Sequence, residues 1–379
     1  MAISPLRVKL LILQGTPFCN IDCSYCYLPN RGGRGSMQPF VLDAVVGHLL
    51  AGDLLGPHLT VNWHAGEPLV LGVDFYRDAM RRLAPLSSRG THVVHSVQTN
   101  GTLIDDDWIR FFGETAMRVG VSIDGPAAIH DAFRVDRRGR GTHARAMRGV
   151  RLLRDAGLSF SVIAVLTERS VDHADEMYDF FVDNGITVIG FNIEELEGAH
   201  TESSCGRPGF ADRYEAFMAR FYERVSRDGV LSVREFEYFE NRIMRPRARN
   251  NDQVQPLAIL SVDAAGNFST FSPELLDAKC ERHGDFVLGN VAQSGFLSAL
   301  ETPKFRRIYA EISKGVQACR SSCEHFAVCG GGAPSNKQFE NGSMDTTVTD
   351  YCRYTKKSIA ELVLSRLSER AGRAAVSHP

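Results

Sequence analysis

At 379 residues, 44% apolar and 23% charged, the chain has the composition of a soluble globular enzyme and length for about two domains. A net charge of −2 gives no basis for a nucleic-acid or anionic-membrane partner, and neither is expected. The apolar run Leu10 to Leu13 is too short for a membrane span and no small-residue cleavage site follows it, so a cytoplasmic address is expected.

The first predicted strand, Val8–Leu13, leads straight into "TPFCNIDCSYCYLPN". Further strand-like runs follow at Leu59–Trp63, His92–Gln98, Arg118–Ile123, Phe160–Leu166 and Val188–Ile193. Helix-period stretches lie between them, such as "THARAMRGVRLLRDAG" and "VDHADEMYDFFVDNG", closed by glycine in the C-cap manner. This alternation predicts parallel strands with helical crossovers. Six units predict an α/β fold, an open, partial (β/α)6 barrel whose functional loops follow the strand C-termini. The barrel is expected over residues 1–209 and a charged helical bridge over 210–249. A second unit is expected over 250–379, opening with "LAILSVDAAGNFSTFSPEL", which reads as a hairpin.

Nine cysteines in clusters with no export signal point to metal ligation in a reducing compartment. Cys19, Cys23 and Cys26, spaced CxxxCxxC, supply three thiolates to a four-iron cubane and leave one iron open to a substrate. A structural zinc would close with four ligands, and no fourth follows nearby. Downstream, Cys319, Cys323, Cys329 and Cys352 offer four thiolates, enough to close a four-iron cluster, although their spacing permits zinc equally. Cys205 and Cys280 read as plain buried or loop thiols.

With Tyr25 before the third cysteine, CxxxCxφC (φ aromatic) resembles the signature of the radical S-adenosylmethionine (SAM) enzymes. In that family the open iron chelates the amino and carboxylate groups of SAM, so a SAM-binding 4Fe-4S cluster is implied. "WHAGEPL" resembles the family's GGEP loop, with Ala65 for the first glycine, then Gly66 and Glu67, whose backbone and carboxylate would receive the SAM ammonium. Gln98 and Asn100 in "SVQTNG", and Ser122 and Asp124 in "VSIDGP", resemble ribose and methionine contacts. Arg134 matches an arginine that meets the SAM carboxylate in related peptide-modifying members, a role that bidentate pairing suits.

The second cysteine set resembles the SPASM domain of radical SAM peptide maturases, which often holds two auxiliary clusters. Two of that domain's cysteines are replaced here, by Phe271 and Ala333, so the resemblance implies one auxiliary 4Fe-4S cluster on Cys319, Cys323, Cys329 and Cys352. Across nearly the whole chain, "NIDCSYCYLP", "WHAGEP", "FSPEL" and "CGGGAPSNKQFENG" look like the maturases of glycine-rich-repeat peptides. Related members join an aromatic ring carbon to an unactivated side-chain carbon of a ribosomal precursor peptide, forming a cyclophane. The resemblance implies such a peptide substrate and an external electron donor such as flavodoxin or ferredoxin. Glu194, Glu195 and Glu197 are the candidate bases, set against the expectation that charged loop residues are solvated. Other readings are a formylglycine-forming sulfatase maturase, a thioether former, an epimerase, or a non-catalytic iron–sulfur or zinc scaffold.

Overall fold

A computed structural model describes residues 6–245 and 251–376, with side chains to residue 372. Six parallel strands build its centre: β1 Val8–Gln14, β2 Leu55–Trp63, β3 His92–Thr99, β4 Arg118–Ser122, β5 Phe160–Leu166 and β6 Val188–Ile193. They lie side by side in chain order, each hydrogen-bonded in parallel to the next. Helices Pro39–Ala51, Val73–Leu83, Asp106–Thr115, His143–Asp155 and Ala174–Asp183 carry the crossovers. The architecture is the expected α/β partial barrel, and every predicted strand lies within a residue or a few of its observed limits.

Local chemistry starts and seats these elements. The Asp105 carboxylate accepts from the amides of Asp107 and Trp108, capping helix Asp106–Thr115. That helix buries Trp108, Phe111 and Phe112. Trp108 meets Tyr76 edge-on at 5.5 Å, and Tyr76 meets Trp63 of β2 at 5.1 Å. Burial of a ring such as Phe111 contributes roughly 1.5–3 kcal/mol, so this aromatic stack helps seat the helices on β2.

The sheet does not stop at six strands. β7 Ser232–Val233 extends it beyond β6, in parallel. On the other edge β8 Ile259–Asp263 pairs in parallel with β1, Leu10 facing Ile259. β9 Asn267–Thr270 then returns antiparallel to β8. A small ribbon, β10 Lys279–Cys280 with β11 Gly284–Asp285, follows, and β12 Gly289–Asn290 pairs with β9. The expected hairpin is therefore the β8–β9 pair, and it is hydrogen-bonded into the barrel sheet. Helices Phe210–Asp228 and Arg234–Met244 occupy the stretch read as a bridge. The boundary expected between residues 249 and 250 lies outside the described residues. Pro303, with Thr302 accepting from the Phe305 amide, starts helix Pro303–Ser322 afresh after the short helix Phe296–Ala299.

Candidate active site

The loop after β1 carries the first three cysteines and is pinned through its backbone. Arg31 donates to the Cys23 carbonyl at 2.6 Å and Arg137 to the Cys19 carbonyl at 2.8 Å. The Asp22 and Ser24 amides donate to the Val135 and Phe133 carbonyls. Gly66, at φ +62°, brings the loop after β2 hard against this one: a Cβ there would lie 2.5 Å from the Thr16 carbonyl oxygen. Ala65 also holds a left-handed backbone, φ +70°, which costs an L-residue about 1–2 kcal/mol. Alanine thus keeps the glycine-type conformation of this loop under strain.

Cys19, Cys23 and Cys26 line a cavity of about 240 Å³ together with Tyr25, Ala65, Gly66, Glu67, Gln98, Asn100, Ser122 and Arg134. Burial pushes the Cys19 thiol up to about 12 and the Cys23 thiol up to about 11. A bound cation would reverse that preference, because a coordinating thiol is deprotonated outright. Asn100 Nδ2 stands 3.9 Å from Cys19 Sγ, and Arg134 Nη1 stands 3.9 Å from Cys23 Sγ. Gln98 donates to Ser122 at 3.0 Å, across a strand where a Cβ on Gly120 would fall 2.1 Å from Gln98 Oε1.

Asp124 is the expected contact that the cavity lining lacks. Its buried carboxylate takes Arg134 Nε and Nη2 at 2.9 and 3.1 Å, the Val165 amide at 3.0 Å, and the Tyr25 hydroxyl. Burial opposes its ionisation, but the Arg134 charge beside it holds the carboxyl below its usual range. Protein partners saturate it, so the geometry gives it a positioning role toward Arg134 and Tyr25 in place of a direct contact. Glu67 is similar in part: its carboxylate accepts from Thr99 Oγ1 (2.6 Å), Asn100 N (2.8 Å) and Leu69 N (3.0 Å). Burial still pushes it up to about 6.

The glutamates after β6 are not solvated, contrary to expectation. Glu194 is buried and accepts from the Ser204 amide at 2.9 Å, with His200 Nε2 3.3 Å away, so it ties its own loop together. Glu195 is half-buried, accepts from Asn336 Nδ2 at 2.6 Å, and is pushed by burial up to about 7. Glu197 is buried and its carboxyl is likewise raised, by burial and then by the charge of Glu274. The loop is clamped onto the cysteine loop, Ala199 N donating to the Tyr27 carbonyl at 2.8 Å. A second cavity of about 630 Å³ adjoins, and Asn192, Glu195, Glu197 and Glu274 line both. Its far wall holds Arg234, Tyr238, Tyr351 and Lys356.

The second cysteine set comes from three segments. Cys319 ends helix Pro303–Ser322, and Cys323 caps it, its amide donating to the Cys319 carbonyl at 2.9 Å. Cys329 precedes Gly330, Gly331 and Gly332, all at positive φ. Cys352 is fixed by Thr349 Oγ1 on its amide at 2.9 Å, and its thiol is pushed up to about 11 by burial and then by Cys329. Lys337 Nζ lies 3.4 Å from Cys319 Sγ. Among the described residues, one group of three metal-ligating side chains converges within 4.8 Å, Glu324, His325 and Glu361 near the surface. Neither cysteine set converges so tightly. Zinc at about 2.3 Å from each sulfur would draw sulfurs to roughly 3.8 Å, whereas a cubane spreads them over separate irons.

Phe271, where a SPASM cysteine would stand, is buried and stacks on Phe305 and Tyr309, each at 6.2 Å. Leu275, Phe286, Ile308, Ile312 and Met344 complete an apolar cluster around it, with Cys280 at its edge. Ala333 is also buried. Cys205 is buried with Sγ 3.6 Å from the Glu194 carbonyl, and its own carbonyl accepts from the Tyr354 hydroxyl at 2.8 Å. Sequence reasoning missed Tyr27 and His64, whose side chains meet at 3.3 Å, and it missed Glu274 as a site residue. His64 adjoins "AGEP" and Glu274 lies in "FSPEL", so a signal was present for both.

A family profile described as the Radical SAM superfamily matches residues 13–181. An uncharacterized protein of Synechocystis sp. is 43% identical over 370 residues, spanning 96% of this chain and 93% of that one. Residues 13–181 of this chain are a radical SAM domain. A serine-type anaerobic sulfatase-maturating enzyme of Klebsiella aerogenes is 32% identical over 223 residues, 58% of this chain and 55% of that protein. The structure of native anSMEcpe with bound AdoMet and Cp18Cys peptide superposes with a TM-score of 0.76 at 23% identity. It covers 97% of this chain and 99% of that one, which establishes a shared fold. No helix among the described residues is long and apolar enough to cross a membrane.

Proposed function

We propose that this radical SAM protein is a peptide maturase that forms a carbon–carbon cyclophane crosslink in a ribosomal precursor peptide. The observation that carries this reading is the pair of adjoining cavities: one lined by the three cysteines, the other larger and lined by charged groups with Tyr238 and Tyr351 among them, with Glu195, Glu197 and Glu274 at their junction. Cys19, Cys23 and Cys26 would hold a 4Fe-4S cluster, and Gly66, Gln98, Ser122 and Arg134 would hold SAM beside it. Bound there, the cluster and SAM would supply the radical chemistry that takes a hydrogen atom from a side-chain carbon of the peptide. Joining that carbon to a ring carbon releases one further proton and one electron. Glu195, Glu197 and Glu274 stand where a proton would be taken, and their raised affinity for protons suits acceptance near neutral pH. Arg134 is oriented by Asp124, and Tyr25 closes over it at 5.3 Å.

Residues 250–379 serve on this reading as the auxiliary unit, with 210–249 as the bridge from the barrel of 1–209. One auxiliary 4Fe-4S cluster on Cys319, Cys323, Cys329 and Cys352 would accept the electron, and a flavodoxin or ferredoxin would reduce the first cluster. The apolar cluster around Phe271 supports one auxiliary cluster over two. A second reading, formylglycine formation by a sulfatase maturase, is favoured by the similarity to the Klebsiella enzyme. The same apolar filling opposes it where that family's two-cluster pattern is the comparison.

Co-expression with the short peptide encoded beside the gene tests the reading. Crosslinking and serine oxidation both remove two hydrogens, so an aldehyde-reactive probe is required. Loss of two hydrogens without probe labelling, with a ring-to-side-chain linkage in fragment spectra, is the expected result; labelling would establish formylglycine instead. Failure to release 5′-deoxyadenosine under reduction would reduce the protein to a binding scaffold.

A further inference from the structure

Lys337 is a buried cation with no carboxylate partner among the described residues. It is 3% exposed, and its Nζ forms no ion pair among the described residues. Its side chain makes one hydrogen bond, to Cys319 Sγ at 3.4 Å. A lysine is almost never fully buried unless paired, because leaving water is costly for an isolated charge. A neutral thiol does not compensate that charge; a thiolate bound to iron does.

Two glycines flank this side chain. Gly315 lies inside helix Pro303–Ser322, where glycine is unfavourable relative to alanine. A Cβ there would stand 2.2 Å from the Met344 carbonyl oxygen and 3.1 Å from Lys337 Nζ. Gly332, at φ +78°, would place a Cβ 3.4 Å from Lys337 Cε. Lys337 also sits one turn from the start of helix Pro334–Asn341, the end where the helix dipole disfavours a cation. The dipole opposes a cation at this point, and two glycines, Gly315 and Gly332, lie against its side chain.

We propose that Lys337 is the charge-compensating residue of the auxiliary cluster, donating to its Cys319 ligand and raising its reduction potential. The inference rests on the auxiliary cluster proposed above. Reduction adds negative charge to the cluster, so a fixed cation and a hydrogen bond to ligand sulfur favour the reduced state. Lys337 touches neither cavity of the candidate active site, and it is a positioning and tuning residue, not a catalytic one.

The test uses the full-length protein, reconstituted anaerobically, as the unaltered enzyme and as Lys337→Gln and Lys337→Arg. Iron and sulfide content, thermal midpoint and an EPR-monitored redox titration are read for each, with C19A/C23A/C26A protein identifying the auxiliary signal. About eight irons per chain and a lower auxiliary potential in Lys337→Gln, largely restored in Lys337→Arg, is the expected result. Loss of the auxiliary cluster in Lys337→Gln with retention in Lys337→Arg supports the same role, since charge is what the two variants differ in. An auxiliary potential unmoved in fully loaded Lys337→Gln overturns the assignment while leaving the cluster in place, as does cluster loss in both variants. About four irons in the unaltered enzyme would sink the auxiliary cluster itself, and the inference with it.

Discussion

The two cysteine centres differ in what their surroundings do with charge. Around Cys19, Cys23 and Cys26 the nearest cation, Arg134, is already spent on Asp124, and the sulfurs face a cavity. Around Cys319 the nearest cation is Lys337, with no acid among the described residues to share it, and the adjoining cavities do not reach the sulfur. The first arrangement leaves ligand space beside neutralised walls. The second is closed off from both cavities and sets one ammonium against the sulfur. An open site suits binding and a closed one suits holding an electron, so a single chain can divide these tasks between two centres.

The comparison breaks most completely if the open centre is removed. Replacing Cys19, Cys23 and Cys26 together with alanine should abolish 5′-deoxyadenosine release while leaving a folded protein. The loop is held by Arg31, Arg137 and the 133–135 segment through backbone groups that the substitutions leave alone. Circular dichroism and deoxyadenosine assays check both halves; loss of soluble protein would mean that the cluster is part of the fold. Gly66→Ala should act almost as strongly, because its Cβ would lie 2.5 and 2.6 Å from two carbonyl oxygens of the cysteine loop. A displacement of about 1 Å at reacting groups costs about 10²-fold in rate, and that loss in SAM cleavage is expected. Near-normal turnover would show that the loop has slack.

Cys329→Ala sharpens the comparison from the closed side. It touches neither the first cluster nor the cavity around it. If the closed centre takes up the electron, deoxyadenosine formed per crosslink should rise while melting temperature and peptide affinity hold. If the centre chiefly holds the fold together, as metal sites do by coupling binding to folding, the ratio stays constant and stability drops. Measuring the ratio beside the melting temperature separates the two.

Much of this was legible in the chain because it is local. The run Val8–Leu13 followed by Cys19, Cys23 and Cys26, and the recurrence of strand and helix periods, needed no knowledge of distant contacts. Three things were hidden for one reason, long-range partnership. The β8 strand reads as half a hairpin, and nothing local says that Ile259 will face Leu10 across 249 residues. Glu195 and Glu197 read as solvated loop acids, but Asn336 and Glu274 from the far end of the chain cover them. Asp124 reads as a ligand contact by its place after β4, yet Arg134 and Tyr25 occupy it. Phe271 was visible as a missing cysteine, while its stack with Phe305 and Tyr309 was not.

The smallest expected effect is a pH dependence set at the junction of the two cavities. Burial pushes Glu274 up to about 8 and Glu195 up to about 7, from an ordinary value of 4.5. Between pH 4.5 and 8 the folded protein therefore holds protons that the unfolded chain has released. Stability must fall as pH rises through that window, since the unfolded state binds fewer protons. Both side chains are half-buried, so solvent screening reduces the effect, and a drop in Tm on the order of 2 °C across the window is expected. Proton acceptance runs the other way: only the ionised carboxylate can take a proton, so crosslink formed per deoxyadenosine should rise with pH through about 7 to 8. Glu274→Gln removes one titrating group and should flatten the fall in Tm while lowering the crosslink yield at high pH. A variant whose Tm profile flattens but whose yield profile is unchanged would keep Glu274 as a buried acid and strike it from the proton-accepting set. A variant that changes neither would mean that the junction is wetter than its lining implies, and the division between an open, ligand-binding centre and its acidic exit would have to be redrawn around Glu197.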